Sequence, residues 1–261
     1  MKNILFKSVC LVLLCCGAAL TANAQGIVVT KTDGTKVYYK ATEVLSVGVY
    51  GYGDDPVEGL HTHEYVNLGL PSGTLWATCN VGAEKPEEYG DYFTWGETAG
   101  YNSGKTTFSW ATYRYYDALY NTLTKYCTKS DYGTIDDKTE LEMVDDAATA
   151  NWGSNWQMPS NDQLLELINS NYTTTSWTTL NGVNGRLIVS KSNGNRIFLP
   201  AAGYHSTSLY SAGSGGYYWS RSLYTSNSMY ARGLGFSSSS ISTDTHSRYY
   251  GRSVRPVRVK E

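Results

Sequence analysis

Residues 99–106 (Ala99, Gly100, Tyr101, Asn102, Ser103, Gly104, Lys105, Thr106) match the loose form of a phosphate-binding loop, with Ala in place of the first Gly. Such a loop holds phosphate on its backbone N–H groups only when a strand precedes it and a helix follows. Here Thr107, Phe108, Ser109 and Trp110 follow, β-branched and aromatic, so the segment is expected to be a surface loop. Asp91 and Glu97 stand in one glycine-bounded block and would serve glycoside hydrolysis if their carboxyls faced each other at about 5–10 Å across a cleft. Adjacent carboxylates such as Asp136 and Asp137, or Asp145 and Asp146, point apart and read as surface charge or helix starts. His61 and His63, two apart beside Glu64, would share one side of a strand. Zinc needs further ligands, and only His205 and His246 remain among the histidines. No Gly-x-Ser-x-Gly elbow occurs. No metal, cofactor or catalytic set is therefore expected, and the chain reads as a non-enzymatic binding or adhesion protein, the alternatives being an exported carbohydrate-active enzyme that uses Asp91 and Glu97 or a structural component of a cell-surface assembly.

The last sixty-one residues, 201–261, hold 15 Ser, 8 Tyr and 7 Gly, with seven basic and only two acidic residues. Tyr204, Tyr210, Tyr217, Tyr224, Tyr230, Arg232, His246, Arg248, Tyr249 and Tyr250 sit among Ser and Gly, the mixture that antibody loops use for adaptable contacts at low entropic cost. These ten are the candidate ligand-binding residues. Aromatic faces with basic residues suit sugars and anionic polysaccharides, and a surface protein of host or bacterium is the other expected partner. The competing reading is that Ser, Tyr and Gly are here ordinary loop and edge-strand residues. Trp76, Trp95, Trp152, Trp156 and Trp219, each flanked by small or apolar residues, are expected in the core.

The elements that must position these residues begin after the N-terminus. Lys2 and Lys7, the apolar run 9–20, and Ala22-Asn23-Ala24 before Gln25 have the layout of a cleaved signal peptide, residues 1–24. The run is too short to span a bilayer, which takes about 20 residues. The expected compartment is periplasm, cell surface or the medium. Without the signal the chain carries 19 basic against 23 acidic residues, no electrostatic case for nucleic acid. Residues 25–58 read as a small β-hairpin, turning at Asp33-Gly34, and a Gly- and Asp-rich linker. From 59 to 261 short apolar bursts alternate with turn signals, which predicts one domain of short strands and long loops. Two helices are expected. One runs roughly over 138–150, with Leu141, Val144 and Ala148 on one face; the other is capped by Ser160, with Gln163 completing a capping box. Cys79 and Cys127 remain after the signal, and spacing leaves open whether they form a disulfide or stay as free thiols.

Several blocks are more specific. Residues 63–77, opening His63-Glu64-Tyr65-Val66-Asn67-Leu68-Gly69-Leu70-Pro71, are followed by Asn80-Val81-Gly82-Ala83 and Gly90-Asp91-Tyr92-Phe93-Thr94-Trp95-Gly96-Glu97. Then come Trp156-Gln157-Met158-Pro159-Ser160, Leu199-Pro200-Ala201-Ala202-Gly203-Tyr204, Tyr218-Trp219-Ser220 and Ser253-Val254-Arg255-Pro256-Val257-Arg258. Over about 63–258 this order resembles the Fibrobacter succinogenes major paralogous domain family. The resemblance implies an α+β, C-type lectin-like fold with short antiparallel strands, two helices and long loops, in an exported bacterial protein. It names a fold better than a function. The Glu-Pro-Asn, Gln-Pro-Asp and Trp-Asn-Asp triplets of calcium-dependent lectins do not occur, so no calcium-bridged sugar site is implied.

Overall fold

A computed structural model describes residues 63–259 and, before them, the backbone of four strands. The chain divides into two compact units, Met1–Thr62 and His63–Glu261. In the first, β1 (Cys10–Leu11), β2 (Ala19–Asn23), β3 (Gly26–Thr30) and β4 (Lys36–Lys40) form an antiparallel sheet in that order. The expected hairpin is the β3–β4 pair, with Gly26 opposite Lys40 and Thr30 opposite Lys36. Its Asp33-Gly34 turn, the linker, His61 and most of the segment read as a signal lie outside the described residues.

The second unit is α+β, built from short, mostly antiparallel strands in small sheets with two short helices. β6 (Thr74–Ala77) pairs on one side with β5 (Tyr65–Asn67) and on the other with the last strand, β17 (Val257–Val259), so the domain's ends close on each other. Between them come β7 (Tyr116–Asp117) with β8 (Thr122–Leu123), and a meander of β9 (Thr173–Leu180), β10 (Val183–Ser190) and β11 (Arg196–Pro200). β9 and β10 join through Asn181 and Gly182, both at positive φ, the Asn-Gly turn whose twist matches that of the strands. β12 (Tyr204–His205) pairs with β13 (Leu209–Tyr210), and β14 (Gly215–Leu223), β15 (Tyr230–Ser237) and β16 (Ile241–Ser247) form the second meander.

β14 is buried on both faces, and its alternation divides the core. Trp219 joins a cluster with Trp95, Tyr126, Leu123 and Val254, while its neighbour Tyr218 joins one with Trp76, Leu167, Ile188 and Leu234. Four of the five tryptophans assigned to the core are there, at 0–5 % exposure; Trp152 is half-buried, its ring stacked on His63 at 3.5 Å.

The helix expected over 138–150 is shorter and later: α1 is Ala147–Trp152. Leu141 N–H bonds to Arg221 O and Glu140 bridges Ser222, so this stretch is held extended against β14. Asp146 then caps the helix by accepting from Thr149 N–H, and Val144, expected on the buried face, is exposed. The Lys138–Glu142 ion pair, 2.6 Å at helical spacing, forms without a helix. α2 (Asn161–Leu167) starts as the sequence indicates, with Ser160 and Gln163 in a reciprocal capping box.

Cys79 and Cys127 are free thiols. Cys127 is enclosed in the Trp95 cluster, its thiol directed to Lys129 O, whereas Cys79 lies outside that cluster beside Thr78. The alternative of two free thiols, left open by spacing, is the one this structure adopts.

Candidate functional site

The phosphate-loop pattern already holds an anion, and it is the protein's own. Asp91 Oδ1 accepts from the N–H groups of Tyr92 at 2.7 Å and Asn102 at 2.8 Å, and Oδ2 accepts from Ser103 Oγ. Gly100 is required because a Cβ there would stand 2.4 Å from Asp91 Oδ2. Lys105, which would reach a phosphate in a nucleotide site, is spent on Glu97 at 2.6 Å and on Thr112 O. Glu97 also accepts from Arg114 N–H. Asp91 and Glu97 are thus buried in separate hydrogen-bond sets, not presented as an acid and base across a cleft. Among the described residues no three of His, Cys, Asp and Glu are grouped to hold a metal ion.

The C-terminal candidates fall into three groups. The first is a continuous aromatic strip. Tyr210 stacks on Tyr204 with centroids 5.5 Å apart, and Tyr204 meets Tyr217 at 5.1 Å and Tyr250 at 5.4 Å. His246 stands between Tyr217 at 6.3 Å and Tyr250 at 6.0 Å, and Tyr249 adjoins Tyr250 at 4.5 Å. Residues outside the candidate set extend it: Trp110 packs on Tyr249 at 5.1 Å and on Tyr116 at 4.9 Å. All these rings are half-buried or exposed, with Tyr210 at 42 %. Tyr204 and Tyr210 are paired across β12–β13, while Tyr217 faces Gly235 across β14–β15.

Beneath the strip lies an ion pair that the sequence reading missed. Arg252, fully buried, donates to Asp244 Oδ1 at 2.9 Å and Oδ2 at 3.2 Å, and its guanidinium lies under Trp219 at 4.6 Å and Tyr217 at 5.3 Å. His246 stands 3.3 Å from the same carboxylate. Burial opposes ionisation of Asp244, but the His246 hydrogen bond and the Arg252 charge outweigh it and hold its pKa at about 2. Glycines on β15 make the room: a Cβ on Gly235 would stand 2.6 Å from Asp244 Oδ2. Tyr249 is pushed up to about 12, first by burial, then by a hydrogen bond with Tyr250 and the neighbouring phenols, Tyr230 among them. Both Tyr249 and the Tyr204 phenol, raised by its own burial, therefore stay neutral at physiological pH.

The second group is a pair apart from the strip. Arg232 lies over Tyr224 at 5.2 Å, and on β15 it alternates with Gly233 and Gly235, on the opposite face of the strand. Tyr230, at the start of β15, belongs near Tyr249.

The third is Arg248, which is a correction. It is fully buried and touches no surface. Its Nε donates to Tyr113 Oη at 2.7 Å, Nη1 to the carbonyls of Tyr126 and Ser228, and Nη2 to Lys125 O, each at 3.0 Å. The faces of Trp95 and Tyr113 enclose it at 4.8 and 5.0 Å. Arg255 repeats the device, donating to Asn80 Oδ1 and to the carbonyls of Ala77, Thr78 and Phe198. The planar forks satisfy buried backbone carbonyls, those of Lys125, Tyr126, Ser228 and Thr78 in loops and those of Ala77 on β6 and Phe198 on β11. Three of the seven basic residues in 201–261 are therefore internal braces and add no charge to the surface.

One signal could have found the missed ion pair: Asp244 is one of only two acidic residues in a basic segment, which marks it as a partner. Nothing in the sequence points to Trp110, which arrives through tertiary packing. A family model described as a domain of unknown function, DUF8237, matches residues 173–257, which include all ten C-terminal candidates. No curated protein and no solved structure matches the chain.

Proposed function

We propose that this chain is an exported, non-enzymatic binding or adhesion protein of C-type lectin-like fold, related to the Fibrobacter succinogenes major paralogous domains, whose ligand lies on the strip from Tyr210 through Tyr204, Tyr217 and Tyr250 to Tyr249 and Trp110. The observation that carries this reading is the contiguity of six half-buried or exposed rings. Sugar rings stack on such faces, and pre-packed rings lose little entropy on binding. The charges beneath the strip cancel, since Arg252 is paired with Asp244. The ligand is therefore a neutral glycan rather than the anionic polysaccharide that composition alone suggests.

The purified chain is to be screened on neutral and acidic glycan arrays, and the best ligand titrated by calorimetry. Tyr204→Ala, Tyr210→Ala and Tyr250→Ala each remove a ring of the strip, and a buried aromatic anchor is worth on the order of 2 kcal/mol, about 30-fold in affinity. Tyr224→Ala, away from the strip, leaves binding unchanged. Equal binding by all four variants, or selective capture of acidic glycans, overturns this assignment.

A further inference from the structure

We propose that β9 is a self-pairing edge through which two copies of this chain join their first meanders into one six-stranded sheet. β9 stands at the end of its sheet, and beyond Thr173 none of its backbone groups bonds to anything but β10 among the described residues. Its sequence, Thr-Thr-Thr-Ser-Trp-Thr-Thr-Leu, is eight residues of high β-propensity, with Thr174, Ser176 and Thr179 exposed. Free edges are ordinarily blunted with lysine, proline, bulges or shortness. Here there is none of these: β9 pairs with β10 in unbroken register, and no charged residue occurs between Glu166 and Arg186.

The lack of charge selects the occupant. A foreign strand is chosen and steered by complementary charge, of which this edge has none to offer. In an isologous pair each residue meets its own neighbourhood, so a Thr/Ser strand faces hydroxyls and methyls with no like-charge repulsion. A two-fold axis perpendicular to the sheet also keeps equivalent faces of the two copies on one side. That face carries a cleft of ≈ 410 Å³ lined by Thr178, Leu180, Leu187, Phe198 and Pro86, whose one charged residue is Arg196, two strands from the edge. Pairing at β9 sets the two clefts side by side.

Sedimentation velocity of the full chain over a concentration series reads the association directly. The wild type is expected to shift from monomer to dimer into the high micromolar range. Ser176→Lys, which sets like charges across the axis at an exposed position, weakens the dimer at least 10-fold. Ser239→Lys, the same change on an exposed turn elsewhere, does not. Near-UV circular dichroism shows both variants folded, and glycan binding at the aromatic strip is untouched by either. A wild type that stays monomeric throughout, or a dimer that Ser176→Lys leaves as strong, overturns the proposal.

Discussion

Arg248→Ala separates a structural arginine from a ligand-binding one. The guanidinium makes four hydrogen bonds and is enclosed by aromatic faces, with no carboxylate in contact. Hydrogen bonds to a charged group are worth about 1.5–3 kcal/mol each, and a carbonyl left buried and unpaired costs about 1–3. Those figures are not additive, because water enters the vacated space and reaches some of the three orphaned carbonyls. Breaking a buried polar cluster of this kind costs about 3–5 kcal/mol, which for a domain of this size lowers the melting temperature by roughly 6–20 °C. Arg248→Lys keeps the charge but not the planar fork and falls between the two. Tyr113→Phe removes both the acceptor of Arg248 Nε and the donor to Trp95 O, and costs about 2–3 kcal/mol. Urea denaturation followed by tryptophan fluorescence gives all three, since Trp95 lies in the affected cluster. A melting temperature within about 2 °C of wild type, with ligand binding lost in Arg248→Ala, would falsify the burial argument and return Arg248 to the binding surface.

Two further outcomes follow from carboxylates that are paired inside the fold. The folded pKa of Asp244, about 2, lies below its unfolded value of about 3.9, so its stabilisation is present above pH 4 and is lost as pH falls toward 2. The wild type should lose about 2–3 kcal/mol across that window, whereas Asp244→Asn is less stable at pH 7 and flatter in acid; parallel acid limbs would remove the ion pair from the account. Asp91→Ala strips the anchor from residues 100–106 and costs about 2–4 kcal/mol in the same denaturation assay. Neither ATP nor inorganic phosphate raises the wild-type melting temperature, and a nucleotide-dependent rise would show that the loop can open to phosphate after all.

What could be read from the sequence and what could not divides along the range of the interactions. The Ser160 capping box and the hairpin strands around Asp33 are local patterns, and such patterns carry their own structure. The helix over 138–150 misleads because its amphipathic spacing and Lys138–Glu142 pair are real, yet Arg221 O recruits Leu141 N–H into a pairing eighty residues distant. Backbone pairing to a fixed strand outweighs a helix turn that has no buried face of its own. The phosphate-loop pattern misleads in the same way: its glycine and its N–H groups do what the motif says, but the anion comes from Asp91.

The C-terminal segment teaches the most, because composition treated its residues as one population. Arginines there serve two ends that composition cannot separate. In a domain whose loops are long and whose two cysteines are unbonded, something must satisfy the carbonyls of chain that joins no sheet. Arg248 does this for Lys125, Tyr126 and Ser228, and Arg255 for Thr78 while adding bonds to Ala77 on β6 and Phe198 on β11, both from a single segment that closes against β6. Arg252, between them, turns instead to Asp244 and carries the floor of the aromatic strip. The same segment that braces the loops thus fixes the rings above them. The strip is held rigid by interactions that a ligand never touches, so its affinity should respond to Asp244 and Gly235 as well as to the tyrosines.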